Sequence, residues 1–214
     1  MRKLAVTAAL AITMQLGVSG SASAPPNYIK MSKIRSTISY IKSMEVKYKL
    51  PMGLLLAIID TESNFQAKAI NPAGAAGVYI TSYGLGQVTM STAKYMCNIR
   101  DLKSLMQSRI NIKCTASILQ KQLARYQGEV RATIAAYQTG TACICKNEVF
   151  MEPSSGGSKV CKFRSRLITR KCSDPGVFMN QSYVNKVMDK RSKYRWASFK
   201  AAEDDDDTRA FTSL

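Results

Sequence analysis

The sequence predicts a mostly α-helical domain with one short β-hairpin and a disulfide-held loop insertion. Three observations carry this. Apolar residues recur every three or four positions through one segment after another. Glycines and a proline punctuate the stretch 71–86 between two such segments. Four of the six cysteines crowd into 141–176.

Residues 1–24 stand apart. Arg2 and Lys3 form a basic start, Leu4 to Val18 is mostly apolar, and Ala22 and Ala24 make an A-x-A cleavage pattern. The apolar run is too short to span a bilayer, so the segment reads as a secretory signal peptide. No later run is long enough either. The mature chain is therefore expected to be exported, periplasmic or secreted, with no transmembrane anchor after signal cleavage. It divides into a domain at 25–200 and a tail at 201–214.

Pro25 to Ser32 reads as an extended lead-in. Ile34, Ile38, Ile41 and Met44 or Glu45 follow helical spacing and predict a helix over Lys33–Tyr48. It breaks at Lys49-Leu50-Pro51, because the residue before a proline disfavours helical angles. Pro51 suits a first helical position, and Leu54, Leu55, Ile58 and Ile59 predict a second helix over Pro51–Phe65. Asn71 to Gly77 is turn-rich, Val78–Thr81 reads as a short strand, and Ser82–Gly86 as a further turn. Gln87–Met96 resumes the helical pattern, with Ser91 or Thr92 as its cap. Asp101–Met106 reads as a short helix. Asn111–Tyr126 is the clearest long one, ended by Gly128, and Glu129–Gln138 is another, stopped by Gly140. Thr141–Gly176 reads as a basic, cysteine-rich insertion with little regular structure. Asn180–Tyr194 is the last helix, and the acidic run Glu203–Asp207 reads as part of a disordered tail.

One side chain stands out in this pattern. Glu62 lies four residues after Ile58 and eight after Leu54, so it shares their apolar face near the helix's end. Asp60 points roughly the opposite way. A carboxylate on an apolar face is costly when ionised, so its pKa should rise. A general acid at neutral pH needs that environment. The competing reading is a salt bridge at a helix end.

The six cysteines are Cys97, Cys114, Cys143, Cys145, Cys161 and Cys172. An even count in an exported chain suggests disulfides. Cys143 and Cys145 are badly placed to bond each other. Cys97 and Cys114 flank one helical stretch and make the favoured first pair, which leaves Cys143 and Cys145 for Cys161 and Cys172. The chain has no histidine and the cysteine spacing fits no zinc pattern, so neither a metal nor a cofactor is expected. Lack of histidine also excludes Ser-His-Asp and Cys-His sites. The formal charge is +17, and from Thr141 to Lys200 there are 13 Lys/Arg against 4 Asp/Glu. Such a field attracts polyanions. Nucleic acid is not expected as the partner of an exported protein. Peptidoglycan stem peptides, teichoic acids and anionic head groups fit better, beside the plain reading of a solvated surface.

Three pieces fall in a telling order: Glu62-Ser63 at the end of an apolar helix, Gly84-Leu85-Gly86-Gln87-Val88 about twenty residues on, and Ala136-Tyr137-Gln138-Thr139-Gly140 at the end of a later helix. With Tyr183-Val184, Asn111-Ile112 and Thr92-Ala93, this order resembles the soluble lytic transglycosylase family, whose catalytic domain is like goose-type lysozyme. That family carries an E-S pair, G-L-M-Q, A-Y-N-x-G and a late Y-V. The resemblance covers about Ile34 to Tyr194 without the cysteine-rich insertion. Gly86 stands where the family usually has Met, and Gln138 where it usually has Asn.

The resemblance implies a lysozyme-like fold and cleavage of the β-1,4 bond between N-acetylmuramic acid and N-acetylglucosamine, with a 1,6-anhydro sugar as product. It casts Glu62 as sole general acid and base. Tyr137 is expected to hydrogen-bond or orient Glu62, Gln87 to contact the glycan, Ser63 to hold the loop or touch substrate, and Tyr183 to line the cleft. Peptidoglycan glycan strands are the implied partner, and size and signal peptide suggest service to a cell-envelope secretion or conjugation complex. Two other readings compete: a non-catalytic peptidoglycan-binding or assembly protein on the same fold, and a lysozyme-type hydrolase.

Overall fold

The computed structural model describes residues 26–73, 80–152, 159–163, 166–167 and 171–210. The signal segment 1–24 lies outside these, as do Gly74–Tyr79 of the turn-rich loop and Ser154–Gly157.

Helices α1 (Pro26–Lys47) and α2 (Leu54–Ser63) open the domain. α1 takes in the stretch up to Ser32 that the sequence suggested was extended. The first six residues of α2 are apolar all round: Leu54, Leu55, Leu56, Ala57, Ile58 and Ile59 are all buried. A helical stretch with no polar face belongs inside the molecule. It begins at Leu54 rather than Pro51, and the cause lies in α1. The Glu45 carboxylate, 5 % exposed, accepts from the backbone N–H groups of Gly53 (3.0 Å), Leu55 (2.8 Å) and Leu56 (3.2 Å). A helix start leaves its first N–H groups without partners, and Glu45 satisfies them from another helix. Gly53 turns the chain at φ 75°. A Cβ there would come within 3.3 Å of the Arg191 carbonyl oxygen and the Tyr194 Cβ.

Three short strands follow. β1 (Ile70–Ala73), β2 (Ile80–Tyr83) and β3 (Val88–Thr89) form an antiparallel sheet in that order. Ile70 pairs with Tyr83, and Ser82 pairs with Thr89. Asn71–Ala73 and Ser82–Tyr83 are thus strand where turns were expected. α3 (Met90–Cys97) starts later than Gln87, because Val88 and Thr89 belong to the sheet. Its cap is Thr89, whose hydroxyl oxygen accepts from the Thr92 N–H at 3.2 Å, and not Ser91 or Thr92. α4 (Leu102–Leu105) is capped by Asp101, which accepts from the Ser104 N–H at 2.8 Å. α5 (Ser108–Arg125) and α6 (Val130–Thr139) follow, and Gly140 closes α6 at φ 83°.

The cysteine-rich segment is more regular than the sequence suggested. β4 (Ile144–Lys146), β5 (Val149–Glu152) and β6 (Lys159–Val160) make a second antiparallel sheet, and β7 (Lys162–Phe163) pairs with β8 (Arg166–Leu167). Cys143 bonds Cys161 and Cys145 bonds Cys172, while Cys97 bonds Cys114 between α3 and α5. α7 (Gln181–Ala210) closes the chain. Its span takes in Glu203–Asp207, which the sequence suggested was a disordered tail.

The main core gathers α1, α2, α5, α6 and α7 around Ile41, Leu54, Ile58, Leu119, Ile134 and Val184. A smaller one of Val88, Ala93, Leu105, Cys114 and Ile118 seats α3 and β3 on α5. Together they fix the end of α2 against one open cleft.

Candidate active site

Glu62 sits on the last turn of α2, where the apolar helix meets that cleft. The chain turns away at once: Asn64 and Phe65 both take left-handed angles, φ 49° and 59°. Burial pushes the Glu62 carboxyl above its ordinary value. A hydrogen bond from Tyr183 and the nearby Lys186 charge pull the other way without cancelling the effect. Glu62 makes no salt bridge among the described residues. Asp60 does: it pairs with Lys190 at 2.8 Å and accepts from the Tyr194 hydroxyl at 2.8 Å, both on α7.

The cleft has a volume of about 910 Å³. Ser82 and Gln87 line it from the sheet side, Thr92 and Tyr95 from α3, Gln122 from α5, and Tyr137 to Gly140 from the end of α6. Among the described residues, Glu62 is the only carboxylate lining it. A glycosidase working through two carboxylates needs a second one facing the bond, and none of the described residues supplies one here.

The two tyrosines exchange the roles the resemblance gave them. Tyr183, 9 % exposed on α7, donates its hydroxyl to Glu62 Oε1 at 2.5 Å and does not line the cleft. Tyr137 lines the cleft, but its hydroxyl donates to the Gly86 carbonyl at 2.6 Å. The reason is reach: the Gly86 carbonyl lies within hydrogen-bond distance of Tyr137, and α7 brings Tyr183 onto the end of α2. Burial and the Glu62 charge both push the phenols of Tyr137 and Tyr183 upward, so they stay protonated as donors.

Gln87 lines the cleft at φ 51°. Its amide nitrogen donates to the Gly84 carbonyl at 2.8 Å and the Ala69 carbonyl at 3.3 Å, and its oxygen accepts from the Ser82 hydroxyl at 2.7 Å. It therefore holds the sheet wall as well as facing the cleft. Ser63 is buried, and its hydroxyl donates back to the Ile59 carbonyl at 3.1 Å. That is a local backbone bond, and Ser63 does not line the cleft.

Behind this wall stands Asn111. Its side chain accepts from the Gly86 N–H at 2.7 Å and donates to the carbonyls of Tyr83 (2.9 Å) and Leu105 (3.1 Å). A Cβ on Gly86 would come within 1.9 Å of Thr115 Oγ1. The glycine in place of Met is therefore matched to α5. The Gln138 oxygen accepts from the Asn180 amide at 2.9 Å, linking the end of α6 to the entry of α7.

The family model for the transglycosylase SLT domain matches residues 39–149, just over half of the chain. The chain belongs to this family. Its mostly helical architecture with small antiparallel sheets is the lysozyme-like fold that the family carries. Among solved structures, the chain is similar to an inactive mutant of the lytic transglycosylase Slt from Pseudomonas aeruginosa, at 22 % identity and a TM-score of 0.41. The match covers 48 % of this chain and 16 % of that one. It is also similar to wild-type Bd0314 DslA, at 19 % identity and a TM-score of 0.37, over 48 % of this chain and 74 % of that one. The Glu helix, the sheet wall and the Tyr137 helix all fall inside the family's matched span, whereas Tyr183 falls beyond it.

Proposed function

We propose that this SLT-family protein is an exported peptidoglycan lytic transglycosylase. It cleaves the β-1,4 bond between N-acetylmuramic acid and N-acetylglucosamine without water. The observation that carries this reading is one buried carboxyl, Glu62, whose burial raises its pKa, in a cleft where no second carboxylate stands among the described residues. Such a group suits a reaction in which one residue does both proton transfers.

Glu62 gives its proton to the glycosidic oxygen, and the bond from that oxygen to the muramic C1 breaks. The Glu62 carboxylate then takes the proton of the same sugar's C6 hydroxyl as its oxygen bonds to C1. The product is a 1,6-anhydro end and a released N-acetylglucosamine end, and Glu62 is protonated again. Tyr183 holds the carboxyl in place through both steps. Tyr137 fixes the Gly86 carbonyl and so the wall against which the glycan lies. The disulfides fit an oxidising, periplasmic or extracellular setting. The signal peptide and a docking role for 141–176 in a secretion or conjugation complex belong to the same reading.

Mass spectrometry of the muropeptides released from purified sacculi tests it. Anhydro-ended products from the unsubstituted chain, and none from Glu62→Gln, are the expected result. Reducing ends would make the protein a hydrolase. No release by either chain, with sacculus binding retained, would make it a binding or assembly protein.

A further inference from the structure

Tyr183 stands in the first turn of α7, which starts at Gln181. Helix ends fray, so a hydrogen bond made from that turn needs the turn to be held. Asn180 holds its backbone: the Asn180 carbonyl accepts from the N–H groups of Tyr183 (3.0 Å) and Val184 (3.2 Å). The Asn180 side-chain amide reaches back to α6, where it donates to the Ala135 carbonyl at 3.1 Å and to Gln138 Oε1 at 2.9 Å.

The residues just before Asn180 are held by the cysteine-rich insertion. Val177 to Met179 runs beside β4. The Cys145 N–H donates to the Val177 carbonyl and the Met179 N–H to the Cys143 carbonyl, both at 2.8 Å, and Ile144 pairs with Phe178. Both insertion disulfides leave from the same strand, at Cys143 and Cys145. Cys143, Cys145, Cys161 and Phe150 form a small core, with Met179 packed against it. Strands this short are marginal alone, so the disulfides keep β4, and with it 177–179, in place.

We propose that the insertion positions the catalytic carboxyl: through β4, residues 177–179 and Asn180, it sets the first turn of α7 and so the Tyr183 hydroxyl on Glu62. Asn180 does not line the cleft and acts through Tyr183, so it is a positioning residue. This rests on Glu62 being the acid of the reaction above, and it gives 141–176 a part inside the enzyme. Besides burial, three groups bear on the Glu62 charge: the Tyr183 hydroxyl and Lys186 on α7, and Tyr137 on α6. Lys186 lies further along α7, between Val184 and Val187, which are fully buried in the main core or against it. That part of the helix is held without the insertion. Loosening the insertion should therefore move Tyr183 and leave the Lys186 charge where it is.

The test titrates the Glu62 carboxyl by NMR of its side-chain carbon, which needs no turnover. Tyr183→Phe sets the reference: with its bond gone, Glu62 titrates higher. Asn180→Ala should move the Glu62 titration the same way. Cys145→Ser with Cys172→Ser, which opens one insertion disulfide, should do so too. Asn180→Ala keeps every cysteine, so it decides even where the cysteine pair does not fold. Neither change should add to the shift once Tyr183 is replaced by Phe, the mark of a shared path. Cys97→Ser with Cys114→Ser opens the disulfide between α3 and α5 and should leave the Glu62 titration in place. The proposal is overturned if Glu62 titrates in Asn180→Ala as in the unsubstituted chain, or if the shift persists undiminished beside Tyr183→Phe. It is overturned as well if Glu62 titrates lower, because the insertion would then keep water from the carboxyl rather than place Tyr183 on it. Reducing ends released from sacculi would sink the anhydro reaction and leave this positioning standing.

Discussion

Tyr183 donates its hydroxyl to the Glu62 carboxylate at 2.5 Å across 121 residues of chain. Burial raises the Glu62 pKa, and the Tyr183 bond opposes that rise by favouring the charged form. Tyr183 therefore tunes the acid as well as holding it. Tyr183→Phe removes the bond and leaves burial less opposed, so the Glu62 pKa climbs further. The acid form is needed for the first step, so activity falls as pH rises through that pKa. The alkaline limb of the pH–rate profile should move to higher pH in Tyr183→Phe, while kcat/KM at the optimum drops about tenfold through lost orientation. An unmoved limb would mean that Tyr183 only packs.

The same burial makes Glu62 a burden on the folded state. Its folded pKa lies above the ordinary value of 4.5. Its contribution to stability is therefore fully present below about pH 4.5 and is lost as pH rises through the folded pKa. Glu62→Gln keeps an oxygen for the Tyr183 hydroxyl and never ionises. It should melt above the unsubstituted chain at pH 7, and the gap should close as pH falls below 4.5. Active-site groups commonly impose such a cost. A constant gap across the range would show that the charge is not its source.

Gly86 makes a different demand. Its carbonyl takes the Tyr137 hydroxyl and its N–H gives to Asn111, while a Cβ would meet Thr115 Oγ1 at 1.9 Å. Gly86→Ala should cost about 1–3 kcal/mol in denaturant unfolding by overpacking, and should lower activity by shifting the carbonyl that Tyr137 holds. Thr115→Gly clears the space at roughly 0.3 kcal/mol of helix propensity, besides the lost packing of a fully buried side chain. The two substitutions together should cost less than their sum, by 1 kcal/mol or more on the double-mutant scale. Simple additivity would place the constraint elsewhere.

These relationships show where sequence reasoning reaches and where it stops. The helix bearing Glu62, and the raised pKa of that residue, were legible because both follow from spacing within one element. The division of labour between Tyr137 and Tyr183 was not. Both sit on apolar helix faces, and only the packing of α6 and α7 on α2 decides which hydroxyl meets the carboxylate. β4 to β8 escaped because strands of two to four residues, several of them lysine-bearing, carry too little alternation to read. Glu45 was hidden differently. It falls on the inner face of α1 as the periodicity requires, but its purpose lies in the next helix.

That purpose supports the last prediction. Glu45 is 5 % exposed and gathers three N–H groups at the start of α2. Burial pushes its pKa up, against those bonds and the Arg191 charge. Glu45→Ala would leave Gly53, Leu55 and Leu56 N–H groups buried without an acceptor. A lost cap costs about 0.5–2 kcal/mol, and a buried donor left unsatisfied about 1–3 kcal/mol, so a loss of about 3 kcal/mol is expected. The urea midpoint should fall with the slope unchanged, which marks a change in stability rather than in the unfolded state. Glu45→Gln keeps one acceptor and should lose roughly half as much. The cleft is built at the opposite end of α2, so Glu45→Ala, assayed cold where it is folded, should cleave at a rate close to that of the unsubstituted chain. A large loss of rate in fully folded protein would instead show that the start of α2 also sets the position of Glu62 at its end.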